Sequence, residues 1–282
     1  MIYTATSLVI PPSNSTSTGE LVSVTPEQAG WEELSFAAYK LAAGTHISAT
    51  TGNSELALVL LSGRASVDSS AGSWRDIGGR KTVFDGMPFA LYLPPDTTYT
   101  IRAETDLEYA LTWCRAEPEH PARLITPQEV AVEIRGGGNA TRQINHILPA
   151  EFPAQRLLVV EVYTPAGNWS SYPPHKHDVH DPPREVCLEE VYYYRISAPE
   201  GYAIQQIYSP ERGLDELVRA RNGDVVLVPY GYHPVVAPPG YDVYYLNALV
   251  GSAHAMTASD DPTYAWVRDE WPAPDPRVPL VR

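Results

Sequence analysis

Cysteine is nearly absent from this chain, with Cys114 and Cys187 as its two thiols in 282 residues. Two cysteines cannot supply a disulfide framework, so the reducing cytoplasm is the expected setting. Cys187 is expected to be a buried, inert thiol. No apolar run is long enough to span a bilayer. The start, Met-Ile-Tyr-Thr-Ala-Thr-Ser, lacks the basic region and apolar core of a signal peptide. The glycosylation-type tripeptides at Asn139 and Asn168 are therefore expected to be chance matches. Basic residues are scarce too: 20 Lys and Arg stand against 34 Asp and Glu, for a net charge of −14. A phosphate-binding surface needs cations, so nucleic acid and anionic membranes are excluded as partners. A small acidic ligand is not, because one or two local arginines can hold a carboxylate.

Helical periodicity is also missing. Aliphatic and tyrosine-rich runs alternate with Pro and Gly, the pattern of an all-β protein long enough for two cores. The first β-rich half occupies residues 1–115. A Pro- and charge-rich stretch, 116–142, reads as a linker ending in the flexible turn Gly136-Gly137-Gly138. The second half covers 143–282, with the Pro-rich tail from Trp271 expected to lie extended over the surface. The halves read as a diverged repeat. Aligning Leu-Tyr-Leu-Pro94 with Leu-Val-Pro229 puts Thr98 where His233 stands, and the first half offers no H-x-H. It is expected to be a barrel without metal.

The second half carries the chemistry. His175-Lys176-His177, then Glu190, then Pro229-Tyr230-Gly231-Tyr232-His233 supply three imidazoles and a carboxylate, a donor set suited to a divalent transition metal. On a strand, the period of two puts His175 and His177 on one face and Lys176 on the other. Glu190 lies in the strand-like run Glu-Val-Tyr-Tyr-Tyr-Arg-Ile, and His233 follows Asp-Val-Val-Leu-Val-Pro. His46, His120, His146, His180 and His254 fit no such pattern. Glu189 and Glu190 point to opposite faces of their strand, and periodicity alone does not say which face is interior.

Gly167, His175, His177, Glu190 and Gly201, followed by Gly223, Pro229, Gly231 and His233, resemble the two cupin motifs. The gap from His177 to Glu190 is longer than the general pattern, and the spacing from Gly231 to His233 is one residue shorter. Both departures, with Ser-Tyr-Pro-Pro-His-Lys-His-Asp, Leu-Glu-Glu-Val-Tyr-Tyr-Tyr-Arg and Tyr-Gly-Tyr-His-Pro-Val, resemble the 5-deoxy-glucuronate isomerases of bacterial myo-inositol catabolism. The 4-deoxy-5-hexosulose-uronate ketol-isomerases are a sister group. The resemblance implies a bicupin, two double-stranded β-helix barrels in one chain. It implies His175, His177, Glu190 and His233 as ligands, leaving Glu189 exposed and free to pair with Arg195. It further implies an aldose–ketose isomerase acting on a sugar acid, with a homo-oligomer left open. Zinc comes first among the metals, then manganese, iron or nickel, because cupin sites take several divalent ions by availability.

Such an isomerase moves a proton between adjacent carbons through an enediol-like state and so needs a general base. Glu161 interrupts the apolar strand Leu-Leu-Val-Val-Glu-Val-Tyr and is the candidate base. The alternative is a buried carboxylate satisfied by a neighbouring Arg or Tyr. Tyr163, on the same face as Glu161, and Tyr192 are candidate proton donors, as are Tyr194 and Tyr245. Arg142, after the Gly-rich turn, is a candidate for the substrate carboxylate. A cupin dioxygenase and a non-catalytic sugar-binding cupin are the competing readings.

Overall fold

Runs of β-branched and aromatic residues, cut at short intervals by proline and glycine, leave the backbone few ways to pair other than short antiparallel strands. The computed structural model describes residues 2–13 and 18–282 and is built almost wholly of such strands. Among the described residues no helix is long and apolar enough to cross a membrane.

Each half is a pair of sheets around its own core. In the first half, a six-stranded sheet runs in the spatial order Arg123–Ile125, Ala90–Leu93, Ser54–Ser62, Leu107–Arg115, Ser35–Leu41 and Gly19–Val24. It shares the apolar core of Leu58, Leu91, Ile101, Val67 and Tyr109 with a four-stranded sheet, His46–Thr50, Thr98–Ala103, Arg64–Ser69 and Gly72–Gly78. In the second half the larger sheet runs Val9–Ile10, Val225–Val228, Leu188–Ile196, Val243–Gly251, Leu158–Thr164, Arg142–Leu148 and Ala131–Arg135. Its partner sheet contains Trp169–Ser170, Val235–Val236, Tyr202–Ser209 and Leu214–Arg221. This is the bicupin architecture. Within the stretch 116–142, Arg123–Ile125 belongs to the first half's sheet and Ala131–Arg135 to the second's, while Val9–Ile10 crosses to pair with Val225–Val228.

The two large sheets stack back to back, with Phe36 against Tyr193 at 5.3 Å between ring centroids. Strands in these sheets bury both faces: every residue of Leu158–Thr164 is buried, as are Glu55 to Leu61 within Ser54–Ser62. Doubly buried strands lose the apolar/polar alternation that one-sided sheets show.

A reciprocal pair of carboxylates pins the halves together. Glu55, second residue of its strand, accepts the backbone N–H groups of Gln155, Arg156 and Leu157 at 2.8, 2.7 and 2.8 Å. Glu189, second residue of the matching strand, accepts those of Glu32, Glu33 and Leu34 at 2.7, 3.0 and 2.8 Å. Between them Arg156 pairs with Glu33 across the near two-fold arrangement. Glu189 is therefore not the exposed partner of Arg195. Its carboxylate terminates otherwise unpaired backbone donors, and Arg195 pairs with Glu108 at 2.9 Å. The same equivalence places Leu56 where the second half has Glu190. Thr98 sits exposed at the start of Thr98–Ala103.

Two further expectations change. Cys187 is exposed, and Cys114 is the buried thiol. The tail does not merely cover the surface, because Gln143 accepts the N–H groups of Leu280 and Val281, donates to the Val281 carbonyl, and leaves Val281 buried. The Gly-rich turn packs under this tail. A Cβ on Gly137 would lie 2.1 Å from the Pro272 carbonyl oxygen, so only glycine fits.

Candidate metal centre

Register decides what faces the interior of the second barrel. Residues directly opposite in an antiparallel pair share a face, and Glu190, Tyr192 and Tyr194 lie opposite Leu249, Asn247 and Tyr245. These in turn lie opposite Leu158, Val160 and Val162. The same face continues through His146, Ile144 and Arg142 to Arg135. Glu190 is thus inside the barrel. His175 and Lys176 form a two-residue strand against Asp260 and Ser259, and His233 follows the turn after Val225–Val228.

The structure brings His177, Glu190 and His233 together, their ligand atoms all within 4.8 Å of one another and all three residues buried. The His175 ring packs edge-on to His233 at 4.8 Å between centroids, with 6.4 Å to the His177 ring. His177 Nδ1 donates to the Leu188 carbonyl at 3.2 Å, while its Nε2 lies 3.0 Å from Glu190 Oε2. His233 Nδ1 donates to the Gly231 carbonyl at 2.9 Å, which leaves the lone pair on Nε2. That Nε2 is buried with no hydrogen-bond partner and lies 3.5 Å from the same Glu190 oxygen. Such orientation of each imidazole by a carbonyl on its far nitrogen is what metal-ligating histidines require. A buried imidazole nitrogen with no hydrogen-bond partner, facing a carboxylate and a second imidazole, is a donor set that fits a divalent ion.

Burial keeps two of the imidazoles in the neutral form that can ligate. Burial, then the neighbouring His233 and His177, holds His175 well below the ordinary histidine range. Burial and His177 push His233 down to about 3. Burial works to lower His177 as well, but the hydrogen bond and charge of Glu190 outweigh it and hold it above its ordinary value. Burial raises Glu190.

The long segment between His177 and Glu190 clamps the ligand loops. Lys176 points away from the cluster and donates to Asp178 at 2.6 Å and Glu185 at 2.8 Å. Glu185 also accepts the N–H groups of Asp178 and Val179, and Asp178 accepts that of Gly231 on the His233 turn. His180 bonds Ser252 and His146 bonds Glu133, so neither joins the cluster.

Of the expected proton-handling groups, the structure brings Tyr192 to the centre. Its ring lies 5.9 Å from that of His233, and its hydroxyl bonds Ser171 at 3.3 Å. Burial and the nearby Glu190 raise its pKa well above the ordinary phenol value. Glu161 and Tyr163 are not brought there. They lie on the opposite face of the sheet, where Glu161 pairs with Arg80 of the first half at 2.6 Å and accepts the hydroxyls of Tyr244 and Tyr163 at 2.8 and 3.2 Å. The buried carboxylate satisfied by Arg and Tyr is the arrangement found, which corrects the expectation of a base at the cluster.

A pocket of about 220 Å³ opens on the cluster, walled by Leu188, Leu249, Met256 and Ala258 and carrying Arg135, Arg142, Arg268 and Asp260. Sequence reasoning missed Arg135, Arg268 and Asp260. The one signal was that Arg135 and Arg142 flank the Gly-rich turn at directly paired positions.

A double β-barrel with a buried His–Glu cluster in its second barrel defines the molecule as a bicupin, and solved bicupins agree. The oxalate decarboxylase of Lactobacillus farciminis superimposes with a TM-score of 0.65 over 90% of this chain and 88% of its own, at 12% identity, which speaks to fold alone. An IolB-like protein from Salmonella typhimurium LT2 is nearer, with a TM-score of 0.89 and 41% identity over 92% of this chain and 98% of its own. The KduI/IolB family profile matches residues 8–267, so the chain belongs to the KduI/IolB family. The 5-deoxy-glucuronate isomerases of Geobacillus kaustophilus and Geobacillus thermodenitrificans are 46% and 48% identical to it, over 93% and 89% of this chain and 95% and 92% of theirs. That places the chain among isomerases.

Proposed function

We propose that the chain is a metal-dependent aldose–ketose isomerase interconverting 5-deoxy-glucuronate and 5-dehydro-2-deoxy-gluconate, a step of myo-inositol catabolism. The observation that carries this reading is the buried cluster of His177, Glu190 and His233 opening on a small, arginine-lined pocket. The two Geobacillus relatives are named 5-deoxy-glucuronate isomerases, which supports the substrate.

His177, Glu190 and His233, with His175, would hold the ion, zinc being sufficient because the reaction has no net redox change. A divalent ion held there would supply stabilisation for negative charge on the substrate oxygens. Proton handling falls to residues that reach this face. Tyr192, kept neutral by burial and with its ring 5.9 Å from that of His233, would give a proton. Asp260 is the pocket carboxylate other than Glu190, and it would act as the general base once substrate draws Arg268 away from its two oxygens. Leu188, Leu249 and Met256 form the apolar wall that limits water. The pocket is smaller than the about 300–1,000 Å³ typical of drug-sized ligands, which suits a single sugar.

The test is incubation of zinc-loaded protein with 5-deoxy-glucuronate and other uronates under argon in deuterated water, followed by NMR. The proposal expects the ketose, with deuterium entering at the carbon that was the aldehyde. Conversion only with iron and oxygen would identify a dioxygenase. Tight sugar binding with intact metal and no conversion would identify a binding protein.

A further inference from the structure

The pocket carries three guanidinium groups, and two of them are already neutralised. Arg135 makes a two-pronged pair with Glu133, at 2.6 and 2.8 Å. Arg268 does the same with Asp260. Arg142 differs. It is 2% exposed, and its Nη1 donates to the carbonyls of Ala140 and Tyr172 at 3.1 Å each. Among the described residues no carboxylate forms an ion pair with it. Its guanidinium lies over the Trp271 ring, 5.9 Å from the centroid.

A buried guanidinium without a counter-charge is costly, and chains retain one where an anion arrives. The local backbone is shaped to hold it. The turn from Gly136 brings the Ala140 carbonyl back onto the strand, and a Cβ at Gly136 would lie 2.1 Å from that oxygen and 3.0 Å from Arg142 Nη1. With Nη1 committed to two carbonyls, the group is oriented before any ligand binds. Burial and the nearby Arg135 push its pKa down to about 10.

We propose that Arg142 is the carboxylate anchor of the substrate, holding the acid end of an open-chain sugar acid while the carbonyl end reaches the His177–Glu190–His233 cluster. The inference rests on the isomerase reading and deepens it. In 5-deoxy-glucuronate the carboxylate and the aldehyde are opposite ends of one chain, and the pocket offers both an unpaired guanidinium and the metal-type cluster among its lining residues. Arg142 is then a specificity residue. It selects acids over neutral sugars and sets which end faces the cluster, and it takes no part in proton transfer.

The test compares the intact zinc-loaded protein with Arg142→Gln and Arg142→Lys. Calorimetry measures binding of glucuronate and of its uncharged methyl ester, and kinetics measure turnover of 5-deoxy-glucuronate. Truncating one partner of a buried charge pair weakens binding by roughly 30-fold or more. Arg142→Gln should therefore lose at least that factor for the acid while binding the ester unchanged. KM should rise by a similar factor and kcat by comparison should change little. Arg142→Lys keeps the charge but not the planar fork, so it should fold normally and recover part of the preference. Equal losses for acid and ester, or an unchanged KM, would overturn the anchor and leave the isomerase reading intact. A wild-type protein that shows Arg142-dependent preference for the acid but does not isomerise 5-deoxy-glucuronate would keep the anchor and refute that substrate.

Discussion

Replacing Glu161 by Gln separates a structural carboxylate from a catalytic one. The change keeps the shape and one acceptor oxygen for Tyr244, while Tyr163 keeps the Val83 carbonyl as its acceptor. It removes the charge opposite Arg80, whose side chain is 4% exposed and whose other donors reach the Leu60 and Gly86 carbonyls at 3.0 and 3.3 Å. Stripping one member from a buried pair costs about 3–5 kcal/mol, because the other charge is left uncompensated. At about 2–4 °C per kcal/mol for a chain of this size, the melting midpoint should fall by roughly 6–20 °C. The rate should hardly change, because Glu161 lies on the sheet face that turns away from Glu190. A general base removed outright would lower kcat by about 10²–10⁴. Denaturation midpoints and kcat at 25 °C, measured on metal-loaded protein, give both quantities. Converting both Arg80 and Glu161 to Met should recover most of the lost stability, since an apolar pair of similar volume needs no counter-charge. A hundredfold fall in kcat with an unchanged midpoint would refute this reasoning and restore Glu161 as the base.

Three other outcomes are expected. His233→Ala should abolish stoichiometric metal binding by elemental analysis while leaving the far-ultraviolet spectrum unchanged, because the barrel is held by apolar burial; retained metal would refute the ligand assignment. For the metal-free protein, His233 has a folded pKa of about 3, below the ordinary value of about 6.5. Its contribution to stability is therefore present above pH about 6.5 and lost as pH falls from there toward about 3. Urea midpoints between pH 7 and 4 should drop, and His233→Asn should flatten that drop; identical profiles would contradict it. An aromatic disulfide reagent should titrate one thiol in the native protein, the exposed Cys187, slowed because partial desolvation of its sulfur raises its pKa. Cys114 should react after unfolding, and two fast thiols would contradict the packing.

The site was legible where its signal is ordered along the chain. H-x-H, Glu and a Pro-turn-His each sit at the edge of a strand-like run, and of these the fold draws His177, Glu190 and His233 together, with the His175 ring beside His233. What the sequence hid follows from double burial. Leu158–Thr164 is buried on both faces because the two large sheets stack, so Glu161 gave no sign of which side it faced. Glu189 was hidden for a related reason, since its partners are backbone N–H groups of the other half, which carry no side-chain signature. Arg268 and Asp260 reach the pocket from the region beyond the second barrel's last long strand, and only the three-dimensional fold shows that they meet Arg142 there. Arg142 itself looked like one arginine after a mobile turn. Its distinction is the absence of a counter-charge beside it, and that appears only once its neighbours are placed.

The most direct test of the central claim is a metal titration. Protein stripped of metal is titrated with zinc under argon while isomerisation of 5-deoxy-glucuronate is followed by NMR. The account predicts no turnover at the start, a linear rise, and a break at one ion per chain, with no rise for His233→Ala. Full turnover by the stripped protein, or activity that requires oxygen, would contradict it.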